Sequence, residues 1–67
     1  MSIAKIIEIS AESPQSFEDA IRQGIRRASK SVHNIKRAWV EDQLVEVDGN
    51  EVTIFRVHMK ITFVLDE

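Results

Sequence analysis

The sequence predicts an α+β domain of order β-α-β-β, its three strands forming one antiparallel or mixed sheet laid on a single helix. Three observations carry this. From Phe55 onward, Phe55, Val57, Met59, Ile61, Phe63 and Leu65 alternate with Arg56, His58, Lys60, Thr62 and Asp66, the period-2 pattern of a strand with one face in the core. Earlier, Phe17, Ala20, Ile21, Gly24, Ile25, Ala28 and Val32 recur at helical spacing. Asp48-Gly49-Asn50 is a hairpin signal between two long strands.

The first element, Ile3 to Ser10, is short and isoleucine-rich; Ile7 and Ile9 share a face with Glu8 opposite, and Ile6 breaks the alternation. Ser13-Pro14-Gln15-Ser16-Phe17 then reads as a helix start. Ser13 is expected to cap the free N–H groups, with Pro14 at the first helical position. Glu18 and Asp19 come early and Arg26, Arg27 and Lys30 late, which suits the helix dipole, and Glu18 can pair with Arg22. Gly24 on the apolar stripe implies a close helix–sheet approach, since it sacrifices ~1 kcal/mol of helix propensity against Ala. His33-Asn34 is expected to end the helix, Asn tolerating a left-handed conformation.

In the first hairpin strand, strict alternation predicts Ala38, Val40 and Leu44 toward the core. Arg37, Trp39, Glu41, Gln43, Val45 and Val47 then face the other way. A right-handed crossover makes the first two strands parallel, and the simplest sheet puts the third between them. One sheet face is then left without a covering layer. It carries Trp39 and valines beside Arg37, Arg56, His58 and Lys60, too mixed a surface for plain solvent exposure.

Size and composition limit the function. Residues 1–67 make room for a single domain, and a chain this short buries only ~60% of its unfolded surface. No cysteine is present to form a disulfide or a zinc knot, so self-association is the expected brace. Charged residues make up 30% and the net charge is -2, which argues against a dedicated nucleic-acid binder. No apolar stretch approaches the ~20 residues of a membrane span, and no signal-peptide core is evident; the cytoplasm is the expected compartment.

Catalysis is not expected. No serine sits in a nucleophile motif, and the two glycines form no phosphate loop. His33 and His58 fall on different elements, and nothing assembles base, nucleophile and orienter. Binding chemistry is easier to place. Trp39 suits a planar ligand or an intersubunit contact, and the contact is favoured because ligand sites are few per protein. Arg37 and Arg56 can clamp a phosphate or carboxylate, or pair with Glu41, Glu46 or acids of another copy. His58 offers a titrating or metal-binding group but more often serves as a polar surface residue. Glu41, Asp42, Glu46, Asp48 and Glu51 offer oxygens to Ca²⁺ without the spacing of an EF-hand.

The element order, Ser13-Pro14-x-Ser16-Phe17, Ala28, Asn34 at the second strand and the terminal Phe63-x-Leu65-Asp66 together resemble the dodecins over essentially the whole chain. The resemblance implies a small sheet wrapped round one helix, with twelve copies closing into a hollow shell. It also implies a non-enzymatic role in storing flavin, riboflavin or FMN, as stacked pairs near two-fold axes. In flavin-binding members a tryptophan three residues after the Asn sandwiches the rings, and a glutamine early in the third strand bonds their edge. Those places hold Arg37 and Arg56 here. Trp39 shares a face with Arg37 but stands two residues, ~6–7 Å, farther along. Arg37, Arg56, Trp39, Gln43 and His58 are therefore the expected ligand-binding residues. An anionic small molecule is the expected partner besides other copies of the chain, and calcium is the alternative ligand.

Overall fold

The computed structural model describes residues 3–65; the position of Asp66 lies outside that range. Strand β1 (Ala4–Ser13) leads to helix α1 (Phe17–Ala28), and strands β2 (Ile35–Asp48) and β3 (Glu51–Val64) form a long hairpin. The sheet order is β1-β3-β2, with β3 antiparallel to both neighbours. The alternation in β3 lands as expected: Val57, Met59 and Ile61 are fully buried beneath the helix, with Ala20 from α1. Phe17 meets Phe55 edge to face at 5.2 Å and anchors the start of α1 to β3.

The start of α1 differs from the sequence expectation. Its N-cap is Ser16, whose Oγ accepts from Asp19 N at 2.9 Å. Ser13 instead ends β1 opposite Phe55 and is almost fully buried. Its Oγ accepts from Gln15 N at 2.9 Å and donates to Asp19 Oδ2 at 2.6 Å. Pro14 therefore lies in the strand-to-helix turn, not at the first helical position. Both serines offer a capping oxygen; Ser13 is excluded because pairing with β3 keeps it in the sheet.

The helix stops at Ala28 with Ser29 as its C-cap, earlier than the apolar spacing of Val32 suggests. Val32 still reaches Ala28 O through its N–H, at 3.0 Å, in the turn that follows. Asn34 does take the left-handed conformation, at φ 63°, but at the entry to β2. At the hairpin tip Gly49 alone has positive φ, at 64°, as the first central residue of a II′-class turn requires.

Strand β2 departs most from simple alternation. Pairing with β3 shifts between Ile35 and Arg37, between Val40 and Asp42, and again at Glu46/Val47. At the second shift Glu41 is an extra residue, a β-bulge. Before it, Ala38 and Val40 lie opposite Ile61 and Met59 on the helix side. After it, Gln43 and Val45 oppose Val57 and Phe55 on that same side, while Asp42 and Leu44 oppose His58 and Arg56 on the uncovered face. One inserted residue thus reverses the predicted facing of Leu44, Gln43 and Val45.

The helix lies over β1 and β3, and β2 is exposed along nearly its whole length. The molecule measures 52 × 19 × 13 Å with a radius of gyration of 13.8 Å, against about 11 Å for a compact chain of this size. A long, bare edge strand and a core this small leave apolar surface uncovered at Val40, Leu44, Val45 and Val47.

Candidate functional site: the uncovered face of the sheet

Three strands build this face in register, so its residues form cross-strand rows. Ile6, Thr62 and Arg37 make the first; Glu8, Lys60 and Trp39 the second; Ser10, His58 and Asp42 the third; Glu12, Arg56 and Leu44 the fourth. Glu41 adds its carboxylate to the third row from the bulge, reaching His58 and Lys60. Opposite charges therefore sit on neighbouring strands, which stabilises the pairing.

Arg56 is bracketed by two acids. Its Nε donates to Glu12 Oε2 at 2.7 Å, its Nη2 contacts the same oxygen, and Nη2 also donates to Glu46 Oε2 at 2.7 Å. The hydrogen bond and charge of Glu12 push the Arg56 pKa above its ordinary value, with the charge and hydrogen bond of Glu46 adding to them and desolvation acting in the opposite direction. The guanidinium is committed to bridging β1 and β2. Pairing with Glu46 is one of the arrangements the sequence left open; Glu12 was not foreseen.

Arg37 differs. No side-chain hydrogen bond or ion pair joins it to another described residue. It stands at the far end of the same face, opposite Thr62 while Arg56 sits six residues away on β3, a separation of about 20 Å. Within one protomer the two arginines therefore do not converge as a clamp. Trp39 is adjacent to Arg37 on this face, opposite Lys60 and half exposed. Gln43 leaves the group altogether, because the bulge turns it to the helix side.

His58 occupies the centre. Its Nδ1 is 3.2 Å from Ser10 Oγ, and its Nε2 is 3.5 Å from Glu41 Oε1 and 3.9 Å from Glu8 Oε1. The other oxygen of Glu41 takes Lys60 Nζ at 3.3 Å. Ser10, Asp42, Leu44, Arg56 and His58 line a shallow hollow there. Sequence reasoning missed the β1 contribution of Glu8, Ser10 and Glu12. Their signal was available: they alternate with Ile7, Ile9 and Ala11, and antiparallel pairing sets that polar parity against Lys60, His58 and Arg56.

The dodecin family model matches residues 3–66. The chain belongs to the dodecin family. Calcium dodecin from Mycobacterium tuberculosis is 35% identical over 63 residues, 94% of this chain and 89% of that protein. The structure of dodecin from Streptomyces davaonensis superposes with a TM-score of 0.94 at 32% identity, covering 98% of this chain and 97% of the other. A crystal structure of the mycobacterial calcium dodecin, described as calcium-chelating, gives 0.81 at 33% identity over 92% and 89% of the two chains. The dodecin fold is the β-α-β-β arrangement seen here. No helix among the described residues is long and apolar enough to cross a membrane.

Proposed function

We propose that residues 1–67 act as one non-enzymatic dodecin domain that assembles with copies of itself, as a homododecamer, and holds a small anionic ligand in the cytoplasm. Assembly is supported by what the protomer leaves uncovered: the bare β2 edge, its apolar residues and a core in which, among the described residues, only Ala20, Val57, Met59 and Ile61 are fully buried apolar side chains.

The ligand reading rests on one observation, the position of Arg37 beside Trp39 on the uncovered face without a counter-charge among the described residues. A guanidinium in that state is available for bidentate contact with phosphate or carboxylate. Arg56, neutralised by Glu12 and Glu46, supports the sheet and takes no share in the anion. The arrangement does not fit the flavin sandwich that the family implies. Arginine stands where the stacking tryptophan would be, and the place of the edge-binding glutamine is occupied by a guanidinium already bonded to two acids.

A second reading, calcium binding, is favoured by the calcium dodecin relative. Calcium takes 6–8 oxygens. Glu46 is held by Arg56, and Asp48 and Glu51 lie together at the hairpin tip. Several copies would therefore have to pool their carboxylates.

Titrating the assembled protein with inorganic phosphate, then with riboflavin and FMN, tests the reading. Arg37→Ala is expected to abolish phosphate binding with the assembly intact, whereas Arg56→Ala leaves it. Phosphate binding that survives Arg37→Ala, or a monomer by light scattering, refutes the proposal. Quenching of riboflavin fluorescence would restore the flavin role, and calcium uptake without phosphate binding would favour the second reading.

A further inference from the structure

We propose that Glu8, Glu41 and His58 form a site for a borderline transition-metal dication, with Zn²⁺ as the type ion. It is built within one protomer and depends neither on assembly nor on the anion reading.

The ligand atoms of the three residues lie within 4.8 Å of one another. The separations from Nε2, 3.5 Å to Glu41 and 3.9 Å to Glu8, exceed the 2.7–3.2 Å of an N–H···O hydrogen bond, so neither carboxylate is properly bonded to the ring. They are close to what a shared ion needs. Bonds of ~2.0–2.1 Å in a tetrahedral zinc site place neighbouring donors about 3.3 Å apart. Glu8, exposed on β1, closes the remaining gap by a small side-chain movement.

The surroundings fit a metal in a further way. Ser10 Oγ stands at 3.2 Å from Nδ1, where it can accept the Nδ1 proton. In that tautomer the Nε2 lone pair faces two carboxylate oxygens, an arrangement that a proton on Nε2 or a dication between the three groups relieves. A ring nitrogen bonded to an orienting partner, with the other nitrogen facing the ion, is the usual setting of a metal-bound histidine. Lys60 holds Oε2 of Glu41 and leaves Oε1 toward the ring. Two carboxylates balance a dication, and three protein ligands leave a fourth position open.

The donor set decides the class of metal. Imidazole suits zinc, nickel and copper, whereas calcium takes oxygen ligands in larger number. The site is therefore distinct in chemistry from calcium chelation.

The test uses the full chain, stripped of metal and titrated with Zn²⁺ alone and Ca²⁺ alone by calorimetry. Circular dichroism and assembly size serve as controls for folding. Wild type is expected to take one Zn²⁺ per chain, with the His58 ring signals, not those of His33, shifting in the NMR spectrum. Ser10→Ala should weaken binding by about 10-fold, within the range typical of an orienting partner. His58→Gln and Glu8→Gln should weaken it further, and His33→Gln should leave it unchanged. If His58→Gln misfolds, Glu8→Gln decides, because it keeps the side chain's shape. Absence of zinc uptake overturns the proposal, as does uptake that survives Glu8→Gln or disappears in His33→Gln. Calcium displacing zinc at equal concentration overturns the metal class.

Discussion

Replacing Gly24 by alanine isolates how closely α1 approaches the sheet. A Cβ built at Gly24 would stand 2.9 Å from Ala11 Cβ, 2.9 Å from Met59 Cε and 3.5 Å from Ile9 Cδ1, where carbon–carbon contacts favour about 3.5–4.0 Å. Met59 ends in a flexible group but is fully buried. Ala11 Cβ hangs directly from β1, which is fixed by pairing with Val57. Relief therefore requires the helix to lift. Overpacking of this kind costs about 1–3 kcal/mol, and alanine returns ~1 kcal/mol of helix propensity. The net expectation is a loss of about 0–2 kcal/mol, or a fall in Tm of up to roughly 8–16 °C for a chain of this length.

Thermal unfolding followed by circular dichroism measures this loss, at matched protomer concentration because self-association adds to apparent stability. Ala11→Gly in the Gly24→Ala background removes one of the colliding methyls. The pair should show favourable coupling in a double-mutant cycle. A Gly24→Ala protein more stable by about 1 kcal/mol, the propensity gain alone, would refute the close approach.

Ser16→Ala removes the cap on Asp19 N and should cost about 1 kcal/mol in the same melt; an unchanged Tm would return the capping role to Ser13. Arg56→Met leaves Glu12 and Glu46 without the cation that bridges them. Its Tm should fall at low salt and partly recover near 1 M, where the Debye length is ~3 Å. In wild type the raised Arg56 pKa keeps the stabilising charge at any pH below that elevated value. It is lost only as pH rises through it, so alkaline conditions up to pH 10 should spare the bridge where salt weakens it. A salt-independent loss in Arg56→Met would assign the residue to packing instead.

Strand β3 was legible in the sequence from Phe55 to Phe63, because a half-buried strand leaves a period that no other element imitates; Leu65, expected on the same core-facing row, lies past its end and is exposed. The body of the helix, the hairpin turn and the Gly24 approach followed from similarly local signals, and the strand order from the crossover rule; the helix end, expected at His33-Asn34, comes earlier, at Ala28. The far half of β2 was not legible. A bulge adds one residue to the backbone without a marker in Lys36 to Gln43, and from there parity predicts the wrong face for Gln43 and Leu44. The helix start failed for another reason: two serines three residues apart both suit a cap, and only tertiary pairing chooses between them. On the uncovered face the identities of Arg37, Trp39, Arg56 and His58 were readable. Their grouping required the register, which separates the arginines and brings Glu8, Glu12 and Glu41 to the central and distal rows.

The bulge at Glu41 makes β2 two strands in series with opposite phase. Deleting that one residue while the hairpin kept its pairing with β3 would restore unbroken alternation from Ala38 to Glu46. The faces on either side would stay as they are: Ala38 and Val40, then Gln43 and Val45, toward the helix, with Trp39, Asp42 and Leu44 on the uncovered face. What would go is the Glu41 carboxylate itself, the group that holds Lys60 and stands toward His58. The extra residue thus places one more acid at the middle of the face while both halves of the strand keep their partners.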